Sequence, residues 1–176
     1  MKKTFVLTLT GPDRIGFVEE VTRLLLERGG NVETSRMARL GGEFAVLVLV
    51  TLPSDSLARL DADLSALSAR GYKVTKTPAD YPGFEARAGW RPYRIAVEGA
   101  DHEGIINGIA RYLSEQGIDI ESADSECAPG ATSGVPLFAM TAKILVPPGL
   151  ADKGWEDGLR QIGERQNLDI TVANAG

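Results

Sequence analysis

Apolar and polar positions alternate with a period of two at the start of the chain, where Phe5, Leu7 and Leu9 interleave with Val6, Thr8 and Thr10. That spacing predicts a strand with one buried face. The period then changes. Phe17, Val18, Val21, Leu24 and Leu25 fall on one helical stripe, and Gly29 stands where a helix C-terminus favours a left-handed residue. A second strand is predicted from about Asn31, and Gly41-Gly42 predicts a tight hairpin into the apolar run Phe44–Leu52. Leu57, Leu60, Leu64 and Leu67 predict a second helix capped by Ser54 or Asp55, and a short strand follows near Tyr72–Thr77.

The same order of elements occurs twice. Residues 11–35 match residues 99–123 without a gap at an offset of 88, with 8 identities in 25 positions, among them Gly11/Gly99, Asp13/Asp101, Gly16/Gly104 and Glu33/Glu121. Further on, Phe44–Pro53 matches Phe138–Pro147 at an offset of 94, so the second copy carries six extra residues around Pro129–Gly134. Trp155, Leu159 and Ile162 repeat Leu60, Leu64 and Leu67, and Leu168–Val172 repeats the closing strand. Two β-α-β-β-α-β units predict an α+β fold. It comprises two ferredoxin-like repeats, each a four-stranded antiparallel sheet with two helices on one face. The expected domains are residues 1–77 and 93–176. Residues 78–92, rich in Pro and Gly and carrying Tyr81, Phe84 and Trp90, read as an ordered linker lying on a surface.

Composition narrows the function classes. The net charge is −5, with +1 on residues 1–82 and −6 on residues 83–176, and neither half carries the clustered Lys/Arg that binding to nucleic acid needs. The predicted middle strand is aliphatic after Phe44, which argues against RNA recognition through stacked bases. One Cys and one His leave no disulfide and no Cys/His zinc site within the chain. No apolar run is long enough for a membrane helix, and no secretory leader follows the basic start, so a cytoplasmic protein is expected. No cofactor is implied.

Candidate chemistry concentrates in the turn between the first strand and first helix, which has the frame Gly-x-Asp-x-x-Gly in both repeats. Gly11 is expected to supply unusual backbone angles, Asp13 or Asp101 to cap the helix, and Gly16 or Gly104 to let a ligand approach the amides of the first helical turn. Such amides suit the carboxylate of an amino acid. Asn31 and Asp119, opening the next strand, are candidates for its α-amino group. His102 beside Asp101 and Glu103 has no evident nucleophile partner, so a solvated or pH-sensitive role is expected rather than catalysis. Cys127 is expected to be a packed thiol, and Trp155 a core residue.

The string Gly11-Pro12-Asp13-Arg14-Ile15-Gly16-Phe17-Val18 resembles the opening of an ACT domain. Gly134-Val135-Pro136-Leu137-Phe138-Ala139-Met140 is similar to a strand of the double-ACT proteins related to the glycine cleavage system transcriptional repressor. The resemblance implies a non-catalytic regulator that binds an amino acid such as glycine or serine, usually where two ACT sheets or their helices meet. It implies action through a protein partner, with a role in transcriptional regulation of amino-acid metabolism. The matched positions are Asp13, Arg14, Ile15, Gly16 and Phe17, and in the second copy Asp101, His102, Glu103, Gly104 and Ile105. That copy departs from the pattern at Ala100 and His102-Glu103. The second strands, about Val32–Leu40 and Ile120–Cys127, read as sheet edges, and edges pair with other chains. A homodimer is therefore expected. A ligand-independent adaptor, or an enzyme on the same fold, are the alternatives.

Overall fold

The computed structural model describes residues 1–79, 87–130 and 134–176. Tyr81, Phe84 and Ser133, which belong to the expected linker and the extra loop, lie outside the described residues. The chain divides into two compact units, Met1–Gly83 and Phe84–Gly176.

The first unit runs β1 (Lys2–Pro12), α1 (Phe17–Glu27), β2 (Asn31–Leu40), β3 (Glu43–Pro53), α2 (Leu57–Ala69) and β4 (Lys73–Pro78). Its sheet is antiparallel in the order β2-β3-β1-β4. The second runs β5 (Arg91–Ala100), α3 (Ile105–Glu115), β6 (Asp119–Pro129), β7 (Pro136–Val146), α4 (Glu156–Gln166) and β8 (Leu168–Asn174), in the order β6-β7-β5-β8. Both are ferredoxin-like repeats with the helices on one sheet face, as the sequence predicts.

Alternation decides which face the helices cover. Phe5, Leu7 and Leu9 of β1 and Val46, Val48, Val50 and Leu52 of β3 are buried beneath Phe17, Val21 and Leu25 of α1 and Leu60, Leu64 and Leu67 of α2. The second core repeats this with Ile95, Val97, Ile144, Ile105, Ile109, Leu113, Leu159 and Ile162. Trp155 fills that core as expected, edge-on to Tyr93 at 5.2 Å. Removing any of these side chains from water contributes roughly 1.5–3 kcal/mol.

Three local expectations are corrected. The end of the helical stripe is not buried: Val18 and its counterpart Ile106 are exposed beside the turns. Neither Ser54 nor Asp55 caps α2. Both sit in a short 3₁₀ turn, and the Ser54 hydroxyl donates to the Met1 carbonyl instead. Cys127 is an exposed thiol, because β6 is an edge strand of its sheet. The edge strands themselves, β2 and β6, stand where expected. Each carries a bulge at the same place, between Val32 and Thr34 and between Ile120 and Ser122, at the matched Glu33 and Glu121. Bulges of this kind twist an edge locally.

Candidate functional site

In both turns the helix begins one residue after a glycine in the left-handed region. Gly16 (φ 84°) precedes Phe17, and Gly104 (φ 88°) precedes Ile105. A Cβ at either glycine would meet nothing within 4 Å, so it is the backbone angle, not close approach, that calls for glycine. At Gly11 and Gly99 the reverse holds. Both continue their strands in regular pairing, and neither has positive φ. A Cβ on Gly11 would lie 2.4 Å from Tyr72 Cδ1, and one on Gly99 would lie 2.6 Å from Leu168 Cδ2. The sequence reading thus assigned the two glycines of the frame each other's roles.

Asp13 and Asp101 do not cap. The helices start four residues later, and no side chain caps either N-terminus. Instead the Asp13 amide donates to the Gly42 carbonyl at 3.0 Å and that of Asp101 to the Pro136 carbonyl at 2.9 Å, tying each turn to the neighbouring hairpin end. The Asp13 carboxylate faces Arg39 at 3.5 Å. That of Asp101 lies near the Cys127 thiol. Partial desolvation, followed by the hydrogen bond to Asp101 and its charge, pushes the Cys127 pKa up.

Around the first turn the side chains form a defined cluster. The Tyr72 ring stacks on Phe17 at 4.3 Å, and Phe44 meets Phe17 edge-on at 6.1 Å. Arg14 covers both rings, with its guanidinium carbon 5.4 Å from the Phe17 centroid and 5.8 Å from that of Tyr72. Its Nε donates to the Tyr72 hydroxyl at 2.9 Å, which in turn donates to the Pro12 carbonyl at 3.2 Å. The Arg14 terminal nitrogen pairs with Glu20, and Glu20 also pairs with Arg70 at 2.5 Å. Arg14 is therefore held within the unit as a brace for the turn. Ile15, at the tip, is wholly exposed. Beside it lies a depression of about 290 Å³ lined by Asp13, Arg14, Gly16, Phe17, Val18, Glu19 and Phe44. The amides of Val18 and Glu19 have no carbonyl ahead of them within the helix, whereas that of Glu20 already donates to Gly16.

The second turn keeps the backbone and changes the chemistry. Ile105 is buried like Phe17, and Glu103 is exposed like Ile15. His102 replaces the arginine brace, with Nδ1 3.1 Å from the Glu103 carbonyl and Nε2 3.2 Å from the Gln166 carbonyl. The first turn of α1 carries Glu19 and Glu20, while that of α3 carries no acidic residue. An anion approaching the second N-terminus meets less repulsion from the helix itself.

The strand-start candidates are not brought to either turn within a unit. Asn31 pairs with Thr51, which pairs with Thr4, seven residues down β1 from Gly11. At the strand rise this is about 23 Å. Asp119 stands at the matching end of the second sheet, across from Leu145 and Pro92. Asn31 donates to Glu33 at 3.2 Å, and Asp119 pairs with Arg87 at 2.7 Å. The Arg14–Glu20–Arg70–Tyr72 cluster went unrecognised in the sequence. The signal was there in Tyr72, aromatic where the second repeat has Leu168.

Residues 3–71, the first unit with its turn, match the family model for the ACT domain. The chain is an ACT-domain protein. It is related to the glycine cleavage system transcriptional repressor family: the repressor of Escherichia coli (strain K12) and that of Shigella flexneri are each 36% identical to it over 59 residues. That stretch covers 34% of this chain and 31% of the repressor's own length. Among solved structures, an unknown protein from Galdieria sulphuraria superposes over 100% of both chains with a TM-score of 0.84 and 29% identity. A crystallised protein assigned as a glycine cleavage system transcriptional repressor covers 98% of this chain and 97% of its own, with a TM-score of 0.67 and 19% identity, a likeness of fold. Among the described residues of this ACT protein, no helix is long and apolar enough to cross a membrane, and no His/Cys/Asp/Glu group is placed to hold a metal ion.

Proposed function

We propose that this chain is a non-catalytic, cytoplasmic regulatory protein that senses a free amino acid at its strand-to-helix turns and passes the signal to a protein partner. The observation that carries the reading is the doubled turn. In each unit a left-handed glycine opens a helix whose first amides face outward, and in the first unit these adjoin a depression large enough for a small amino acid. A carboxylate at such a terminus gains about 0.3–1 kcal/mol from the helix dipole when exposed. Asp13, Arg14, Ile15, Gly16 and Phe17 form the braced site, and Asp101, His102, Glu103, Gly104 and Ile105 the site without the arginine. Asn31 and Asp119 can reach a ligand at a turn only from outside their own unit, and the reading includes a homodimer formed through the edge strands.

Kinship with the repressor family supports glycine or serine as the ligand and regulation of amino-acid metabolism as the setting. A thermal-shift panel of the proteinogenic amino acids tests the reading. Glycine, L-serine or a close neighbour should raise the melting temperature, and Asp13→Ala should weaken the effect. A panel without any shift sinks the sensing function and leaves a ligand-independent adaptor.

A further inference from the structure

Between α3 and α4 the second unit contains an opening that the first unit fills with its own side chains. At the matched place on α1, Glu20 sits between Arg14 and Arg70. In the second repeat Gly108 occupies that position, and Gln166 lies against it: a Cβ on Gly108 would stand 3.0 Å from Gln166 Nε2. The internal carboxylate is gone, and a cavity of about 340 Å³ remains, walled by Gly108, Arg111, Tyr112, Glu115, Arg165 and Gln166. The Arg165 Nε donates to the Gln161 carbonyl at 3.2 Å, which anchors its guanidinium on this side of α4. Arg111 and Glu115 are only loosely paired, at 3.9 Å. The Gln166 side-chain oxygen is buried and has no hydrogen-bond donor.

The groove therefore offers two guanidinium groups for an anion, and beside them one orphaned acceptor and one carboxylate for a cation. A simple anion would leave Gln166 Oε1 unsatisfied, and a simple amine would leave the guanidinium groups unused. We propose that this groove binds a small zwitterion, a free α-amino acid, with its carboxylate on Arg111 and Arg165 and its ammonium donating to Gln166 Oε1 and Glu115. The site adjoins the second turn, where His102 Nε2 stands 3.2 Å from the Gln166 carbonyl, but it uses other side chains and does not rest on the reading of the turns.

Amide chemical-shift mapping of the full chain tests this, with glycine as the minimal zwitterion and acetate and methylammonium as its two halves. Glycine should move the amides of Gly108, Arg165 and Gln166 saturably, at a concentration at least ten-fold below that needed with either half. Gln166→Met, which keeps the length of the side chain and removes the acceptor, should abolish those shifts, and Arg165→Gln should weaken them at least ten-fold. Shifts confined to residues 13–17 or 101–105 overturn the groove and leave the turns standing. Groove shifts without turn shifts support the groove and count against the turns. Equal response to acetate overturns the zwitterion, and no response at Gly108, Arg165 and Gln166 overturns the site.

Discussion

Replacing Gly11 by alanine separates a steric glycine from a conformational one. The new Cβ would lie 2.4 Å from Tyr72 Cδ1 and 2.9 Å from Cε1. The ring has little freedom to yield, because Phe17 stacks on it at 4.3 Å and its hydroxyl is fixed by Arg14 and the Pro12 carbonyl. Overpacking of this sort costs about 1–3 kcal/mol. At roughly 4–8 °C per kcal/mol for a unit of this size, Gly11→Ala should lower its melting temperature by about 4–24 °C. Gly16→Ala, by contrast, meets open space and suffers only from its left-handed backbone, about 1–2 kcal/mol. Asparagine tolerates that backbone region, so Gly16→Asn should recover much of the loss, whereas Gly11→Asn should be worse than Gly11→Ala. Gly149→Ala, with no neighbour within 4 Å and no positive φ, serves as the neutral control. Circular dichroism melts of the five variants decide the matter. If Gly11→Ala melts with the control, or Gly16→Asn falls below Gly16→Ala, the assignment of the two glycines is wrong.

Other consequences are as direct. Asp13→Ala should change stability by no more than about 0.5 kcal/mol in denaturant titration, since its carboxylate makes only a loose surface pair; a loss near 1 kcal/mol would restore the capping role. Asp63→Ala removes a two-pronged pair with Arg28 at 2.8 and 3.1 Å that joins α2 to the end of α1, and should cost about 1 kcal/mol, less at high salt. Gly158→Ala places a Cβ 2.2 Å from the Tyr112 hydroxyl and 2.3 Å from the ring carbon bearing it, so it should destabilise the second unit by about 1–3 kcal/mol, and Tyr112→Phe should not rescue it. The Cys127 pKa is raised, so less thiolate exists near pH 8 than for an unperturbed thiol; alkylation should be slow there, quicken as pH rises, and quicken at fixed pH in Asp101→Asn. Equal rates for the two proteins would remove Asp101 as a cause.

Much of the fold was legible because it is written twice. Period-two strands, a 3.6-residue stripe and turn glycines in the same order at offsets of 88 to 95 leave few other architectures, and Gly29, Gly117, Gly41 and Gly42 have the positive φ their positions demanded. What escaped was set by contacts distant in sequence. Gly11 is a glycine because of Tyr72, some sixty residues later, and only the packed sheet brings the two together. The helix start was misplaced because Gly-x-Asp reads locally as a cap, while the chain first continues β1 through Pro12 against Glu43 and turns only at Gly16. Cys127 looked apolar in isolation, yet a strand at the sheet edge leaves it at the surface. The matched glutamates at 33 and 121 mark the bulges, but identity alone does not distinguish a bulge from any other shared residue.

Calorimetric titration of the full chain with glycine and L-serine tests the central claim most directly, with Asp13→Ala and Asp101→Ala titrated alongside. The account predicts saturable heat for at least one of the two amino acids in the unaltered protein, reduced by one or both substitutions at the turns. No heat with either amino acid, or heat that both variants retain in full, would contradict it.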